Sequence, residues 1–271
     1  MALFSKHTHL IHNFPKNYPW YKKTFANIIY FISGLVIHHR KNELTHLDIV
    51  HARRKMRKGD VVLVANYREL SSLAINGIST HAMLYLGKRR FIGAEGDGVS
   101  ISTWHHLHTE YDILIILEVP QYINNRKKII NKACLFAEKQ IGKPYDFFFE
   151  GDYAKYFCTE LVNVAFHHAK FHTGVASVKP THNILEKIEK KMFSSTFKPL
   201  HPDEFLKANF QIKFLSHNLE YKKGHIHYVS KKQKKGKKKK VNFLVTPTAQ
   251  NTTLHDKYNH HQFDKLKLLM P

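Results

Sequence analysis

The chain has 271 residues, 43% of them hydrophobic and 13% aromatic, which is enough for one sizeable core with appendages and excludes a chain disordered throughout. Lys and Arg number 43 against 21 Asp and Glu, giving a net charge of +22 with His neutral. A charge of that size points to anionic partners or to a basic tail, not to a fold. Only two cysteines are present, Cys134 and Cys158, which excludes a disulfide-built secreted scaffold.

Residues 1–50 read as a basic, His-rich extension holding one or two helices. Within it, residues 25–37 (FANIIYFISGLVI) form an apolar run between Lys22-Lys23 and His38-His39-Arg40. Three readings of this run stand: a packed helix, a helix lying in a membrane interface, or a short span, since a span needs about 20 apolar residues. No basic segment leads into an apolar run followed by a small-residue cleavage site, so a secretory signal is not expected and a cytoplasmic or peripheral membrane location is.

Residues 51–220 carry the expected globular domain. Gly59-Asp60 signals a turn and VVLVA a strand after it; Leu70 to Ile75 suit a short helix. THAMLYLG alternates as a strand, FIGAEG follows a tight turn as a second, and ILIILEV is a continuous apolar run typical of a buried strand. Ile129, Ile130, Ala133, Cys134 and Ala137 then recur at helical spacing, ended by Gly142-Lys143-Pro144. Cys134 in this run reads as a buried free thiol. A second helix spans 158–169, with Leu161, Val162, Ala165, Phe166 and Ala169 on one face. Residues 183–192 suit a helix, Pro202-Asp203-Glu204 a helix start, and NFQIKFLS a strand. Residues 221–271 read as a flexible, lysine-rich tail, nearly all lysine from Lys231 to Lys240.

Chemistry gathers in three of these segments. Cys158 opens an apolar-faced helix, where the macrodipole and free N–H groups favour a thiolate. It shares the buried face with Leu161, and a backbone N–H at the same helix start suits an oxyanion. On position alone, a structural cysteine fits as well. His81 opens one strand and Glu95 closes the next. If the hairpin turns through Gly87, Lys88 and Arg89, Leu86 pairs with Arg90 and His81 falls opposite Glu95 on one face. A two-residue loop would shift the register by one and turn Glu95 away. A carboxylate beside an imidazole holds one tautomer while the other nitrogen takes a thiol proton.

Together these segments resemble the permuted papain-like hydrolases of the NlpC-type superfamily, the YiiX-like branch in particular, with lecithin retinol acyltransferase-like enzymes as cousins. The resemblance rests on Gly59-Asp60, Thr80-His81, Glu95 with Gly98-Val99, then Gly142, Pro144, Tyr145 and Asp146 before Phe157-Cys158-Thr159-Glu160-Leu161-Val162, over roughly residues 55–210. The order His, polar residue, Cys is that of the permuted group. The resemblance implies an α+β fold: a small antiparallel sheet with the cysteine helix packed against it. It implies Cys158 as nucleophile, His81 as base, Glu95 as third member and Tyr145 as a residue near the oxyanion. Glu160 is expected to cap or hydrogen-bond at the helix start. Thr159, where serine is commoner, the N-terminal extension and the lysine-rich tail depart from the pattern.

The expected substrate is an amide, thioester or ester. Lipid or acylated molecules are favoured over cell-wall peptides, and an inert binding module on membranes or anionic polymers is kept as the alternative. No cofactor is expected. His105, His106 and His108 cluster, as do His167-His168 and His260-His261, but adjacent histidines on a helix diverge, so no metal site is expected. The lysine block lacks interleaved aromatics for base stacking, so specific nucleic-acid binding is not expected and an anionic membrane surface is the candidate partner.

Overall fold

A computed structural model describes residues 4–75, 77–151, 153–175, 200–222 and 224–229. The helix expected at 183–192, the lysine block and most of the expected tail lie outside the described residues. Six strands form one antiparallel sheet in the order β4-β3-β2-β1-β5-β6: β1 Val61–Ala65, β2 His81–Gly87, β3 Arg90–Glu95, β4 Gly98–Thr103, β5 Ile113–Glu118 and β6 Gln211–Leu215. The central strands β1 and β5 are buried at every residue, as their unbroken apolar runs require.

One face carries α5 (Arg126–Glu138) and α6 (Cys158–His168). Their apolar stripes, including Ala133, Cys134, Leu161 and Phe166, pack on Leu63, Ala82, Leu84 and Ile92. The opposite face carries α2 (His46–Lys55) and α4 (Trp104–Glu110), with Ile49, Trp104 and Leu107 against Val62, Met83 and Phe91. Helix α2 begins at a capping box: Asp48 N–H donates to the Thr45 hydroxyl, and Thr45 N–H donates to Asp48. Cys134 is a buried free thiol.

In the N-terminal segment, α1 (Trp20–Ser33) buries Ala26 and Tyr30 in a third cluster with Ile11, Phe147 and Phe148. Among the described residues no helix is long and apolar enough to cross a membrane. A hairpin of β7 (Leu219–Lys222) and β8 (His225–Tyr228) crosses the position where the sequence pattern starts a flexible tail, and it buries Tyr221 and Ile226 in the main core. The polar residues of this stretch face outward, which is why its composition resembles the basic tail that follows.

The short helices are α3 (Ser71–Ala74) and α7 (Glu204–Lys207). Just before α7, buried Asp203 accepts from the N–H groups of Ile78 and Ser79, at 2.7 and 2.8 Å, and from the Ser79 hydroxyl. These bonds fix the approach to β2, two residues before His81. Asp203→Ala leaves those buried donors unanswered and is expected to lower stability by about 3 kcal/mol, read from the urea midpoint at unchanged m-value.

Candidate active site

The β2–β3 hairpin places the histidine and the carboxylate. Its loop has two residues, Lys88 and Arg89, both at positive φ (49° and 64°), as tight hairpins demand. Gly87 pairs with Arg90, so the expected three-residue turn is not formed. The register then shifts between Tyr85 and Gly87, and Tyr85 pairs with Phe91 and Leu84 with Ile92. A β-bulge at Leu86 therefore restores the pairing that a two-residue loop alone would break. Extended along the strands, that register sets His81 opposite Glu95, and His81 Nε2 lies 3.7 Å from Glu95 Oε1. That separation is an ion-pair contact, longer than a hydrogen bond.

Close approach here depends on Gly93. A β-carbon at that position would sit 2.9 Å from Met83 Cγ and 3.1 Å from His81 Nε2. The glycine leaves room for the imidazole across the strand.

Cys158 arrives from the other layer. It is the first residue of α6, whose N-cap is Phe157, and no side chain caps that end. The segment leading in is tied down by Asp146 N–H to the Tyr156 carbonyl and Tyr156 N–H to the Pro144 carbonyl, both 3.1 Å. Fully buried Asp146 accepts from the N–H groups of Phe148, Glu150 and Gly151, which shapes the loop between. The Cys158 thiol interacts electrostatically with His81 and feels the backbone N–H groups of Ala82 and Thr159. Cys158 and the His81 imidazole thus meet around the end of β2, from opposite faces of the sheet. Because Nε2 is the nitrogen turned to Glu95, Nδ1 is left for the thiol.

The electrostatics favour an ion pair. Burial pushes the Cys158 thiol up, but the His81 charge, the His81 hydrogen bond and the two N–H groups outweigh it and hold the thiol below its ordinary value. Burial pushes His81 down, yet the Cys158 thiolate and then Glu95 raise it above its ordinary value. For Glu95, burial works upward but loses to His106, to the His81 charge and to the Tyr111 hydroxyl, which bring the carboxyl down to about 2.

His106 and Tyr111 were not among the expected site residues. His106, in α4, puts Nε2 3.4 Å from Glu95 Oε1. Tyr111 donates to the same oxygen at 3.3 Å, and its ring lies parallel to His81 with centroids 6.3 Å apart. Glu95 therefore stands between two histidines. The cluster of histidines at 105–108 was visible, but a seven-residue helix gives no periodic signal to say which of them turns inward. Among the described residues no group of three or more His, Cys, Asp or Glu side chains is placed to hold a metal ion.

Tyr145 forms an isolated bridge with Tyr156, and its ring packs edge-on against Phe147 at 4.8 Å, touching both the main and the N-terminal cores. This puts it on the segment that launches α6, with a packing role evident. Glu160 lies buried in the first turn of α6, where its charge suits the helix dipole.

Comparison with known proteins bears on the family of the chain. No curated protein matches the sequence. Among solved structures, a chain described as the metalloprotein yiiX from Escherichia coli O157:H7 aligns with a TM-score of 0.48 and 16% identity, over 58% of this chain and 96% of that one. Residues 55–213, more than half of the chain, match the profile of the permuted papain-like amidase enzymes, YaeF/YiiX, C92 family. The chain, with its histidine and carboxylate strands ahead of the cysteine helix, belongs to this family of permuted papain-like cysteine hydrolases.

Proposed function

We propose that the protein cleaves an amide, thioester or ester by Cys-His-Glu catalysis, with a lipid or acylated molecule as substrate. The observation that carries this reading is the meeting of Cys158, at the start of α6, with the His81–Glu95 pair; the lowered thiol and raised imidazole support it. The Cys158 thiolate adds to the carbonyl carbon, forming a C–S bond and moving the carbonyl electrons onto oxygen. Backbone N–H groups at the start of α6 would receive that oxyanion, a reading that the absence of a side-chain cap there supports, and Tyr145 is the candidate for a further donor on that side. As the intermediate collapses, the bond to the leaving nitrogen, oxygen or sulfur breaks, and His81 gives that atom its proton. His81 then takes a proton from the acceptor as it attacks the thioester. Water as acceptor gives hydrolysis; an alcohol or amine gives acyl transfer. Glu95 keeps the imidazole oriented throughout and supports its positive charge.

An acylated substrate is favoured over a cell-wall peptide by the apolar, basic N-terminal segment, which gives the domain a surface suited to lipid. The lysine block from Lys231 to Lys240 is proposed to assist as a contact with anionic headgroups.

Short-chain acyl thioesters and acyl amides are the substrates to try. Wild-type protein is expected to turn one over and to carry the acyl mass on the peptide containing Cys158. Cys158→Ala is expected to lose both the turnover and the adduct. Turnover surviving in that variant would exclude the mechanism.

A further inference from the structure

Helix α1 turns its most apolar side away from the protein. At about 100° per residue, Trp20, Tyr21, Thr24, Ile28, Phe31 and Ile32 fall within one sector of about 120°. Trp20 is 78% exposed, and Tyr21, Ile28, Phe31 and Ile32 are 43–52% exposed. The opposite side of the same helix is seated: Ala26 and Tyr30 are buried, and Phe25 and Ile29 are half-buried against the third cluster. Leu10, 65% exposed, extends the patch across a groove that Ile28 and Phe31 line. Five large apolar side chains on one exposed helix face call for an occupant.

Charge says which one. Residues 1–42 contain six Lys and Arg and no Asp or Glu. Lys22 is turned inward to Glu150, but Lys16 and Lys23 are exposed beside the patch, and Lys23 lines the groove. A second copy docked face to face would bring these cations against their own counterparts. An anionic bilayer would attract them, and the aromatic rings of Trp20 and Tyr21 prefer the headgroup level.

We propose that α1 is a membrane-docking helix, lying flat on an anionic bilayer with Trp20, Tyr21, Ile28, Phe31 and Ile32 in the headgroup–acyl boundary and Lys16 and Lys23 on the phosphates. The helix is held in its pose by the folded domain, so its ordering precedes binding. Tyr30 on its seated side abuts Gly96, where an added β-carbon would lie 2.3 Å from the ring. Gly96 follows Glu95, so docking would hold the Glu95 end of the sheet about one helix diameter, roughly 10 Å, from the lipid. The docking is independent of whether Cys158 is a nucleophile.

The test uses the full chain, with vesicles of phosphatidylcholine alone and of phosphatidylcholine mixed with phosphatidylglycerol. Binding is read by co-sedimentation and by Trp emission; of the two tryptophans, Trp20 is exposed and Trp104 buried, so a blue shift on binding reports Trp20. The expected result is binding to the anionic vesicles with a blue shift. In Ile28→Ser/Phe31→Ser, affinity falls at least about tenfold and the shift is lost, while the melting temperature holds. A chain lacking residues 231–240 binds more weakly but keeps the blue shift. Three results would overturn the proposal: equal affinity of the double variant, binding with no blue shift, or a wild-type dimer in solution that the double variant dissociates.

Discussion

Iodoacetamide is expected to alkylate Cys158 at about pH 6 at least about 10²-fold faster than an ordinary thiol, and His81→Ala to abolish that advantage. An ordinary cysteine at that pH is about one part in 10³ thiolate, taking the usual value of 9.0. The buried Cys158 would be worse than ordinary if burial acted alone. The His81 charge and hydrogen bond reverse the sign, so the thiolate forms as pH rises through the lowered value of Cys158 and the pair persists until pH passes the raised value of His81. Removing the imidazole leaves burial opposed only by the N–H groups of Ala82 and Thr159, and reactivity should then fall to that of a free cysteine or below. Cys134 is the internal control. Burial pushes it up to about 12, so it should stay unmodified in both proteins. Site-resolved mass spectrometry over time separates the two cysteines. Identical slow profiles for wild type and variant, rising only toward pH 9, would mean that no ion pair exists.

Glu95→Ala is expected to lower kcat/KM by about 10²–10³, and Glu95→Gln by about tenfold. The glutamine keeps an oxygen for Tyr111 and for the imidazole but loses the charge. The carboxyl sits at about 2, so it is ionised throughout any working range and contributes no limb to the pH profile. Its effect appears in the group it faces. The Cys158 thiolate and then Glu95 raise His81 against the burial that lowers it. Both substitutions should accordingly move the alkaline limb to lower pH. Profiles of kcat/KM against pH check both variants. An alkaline limb that stays in place in Glu95→Ala would leave the carboxylate with no electrical role at the histidine.

Much of this arrangement could be read from the chain. The alternation of THAMLYLG, the apolar run ILIILEV and the helical spacing of 129–137 mark elements whose burial follows one simple period. Cys158 at the start of an apolar-faced helix followed from the same periods, whereas the His81–Glu95 opposition was expected from a three-residue turn that the chain does not form. The bulge did not follow from them, because Leu86 is apolar in either register and Gly87-Lys88-Arg89 permits loops of two or three residues. Strand β4 lies at the sheet edge with Ser100 and Thr103 exposed, so GVSIST lacks a clear pattern. Helix α2 is mostly polar and is declared by its Thr45–Asp48 cap more than by its stripe. His106 and Tyr111 reach Glu95 only through tertiary packing of α4, which no spacing within the chain encodes.

The order of the parts along the chain has a consequence for biosynthesis. The proposed base His81 and its carboxylate Glu95 lie in one local hairpin, β2–β3, and the proposed nucleophile Cys158 lies some sixty residues later. At 5–20 residues per second the ribosome needs about 3–12 s to cover that stretch. The hairpin can pair during this interval, but the thiol is protonated and inert until α6 docks across the end of β2. Under the proposed mechanism the growing chain carries a base with nothing to activate, and reactivity toward carbonyls would begin only once the cysteine layer closes on the sheet.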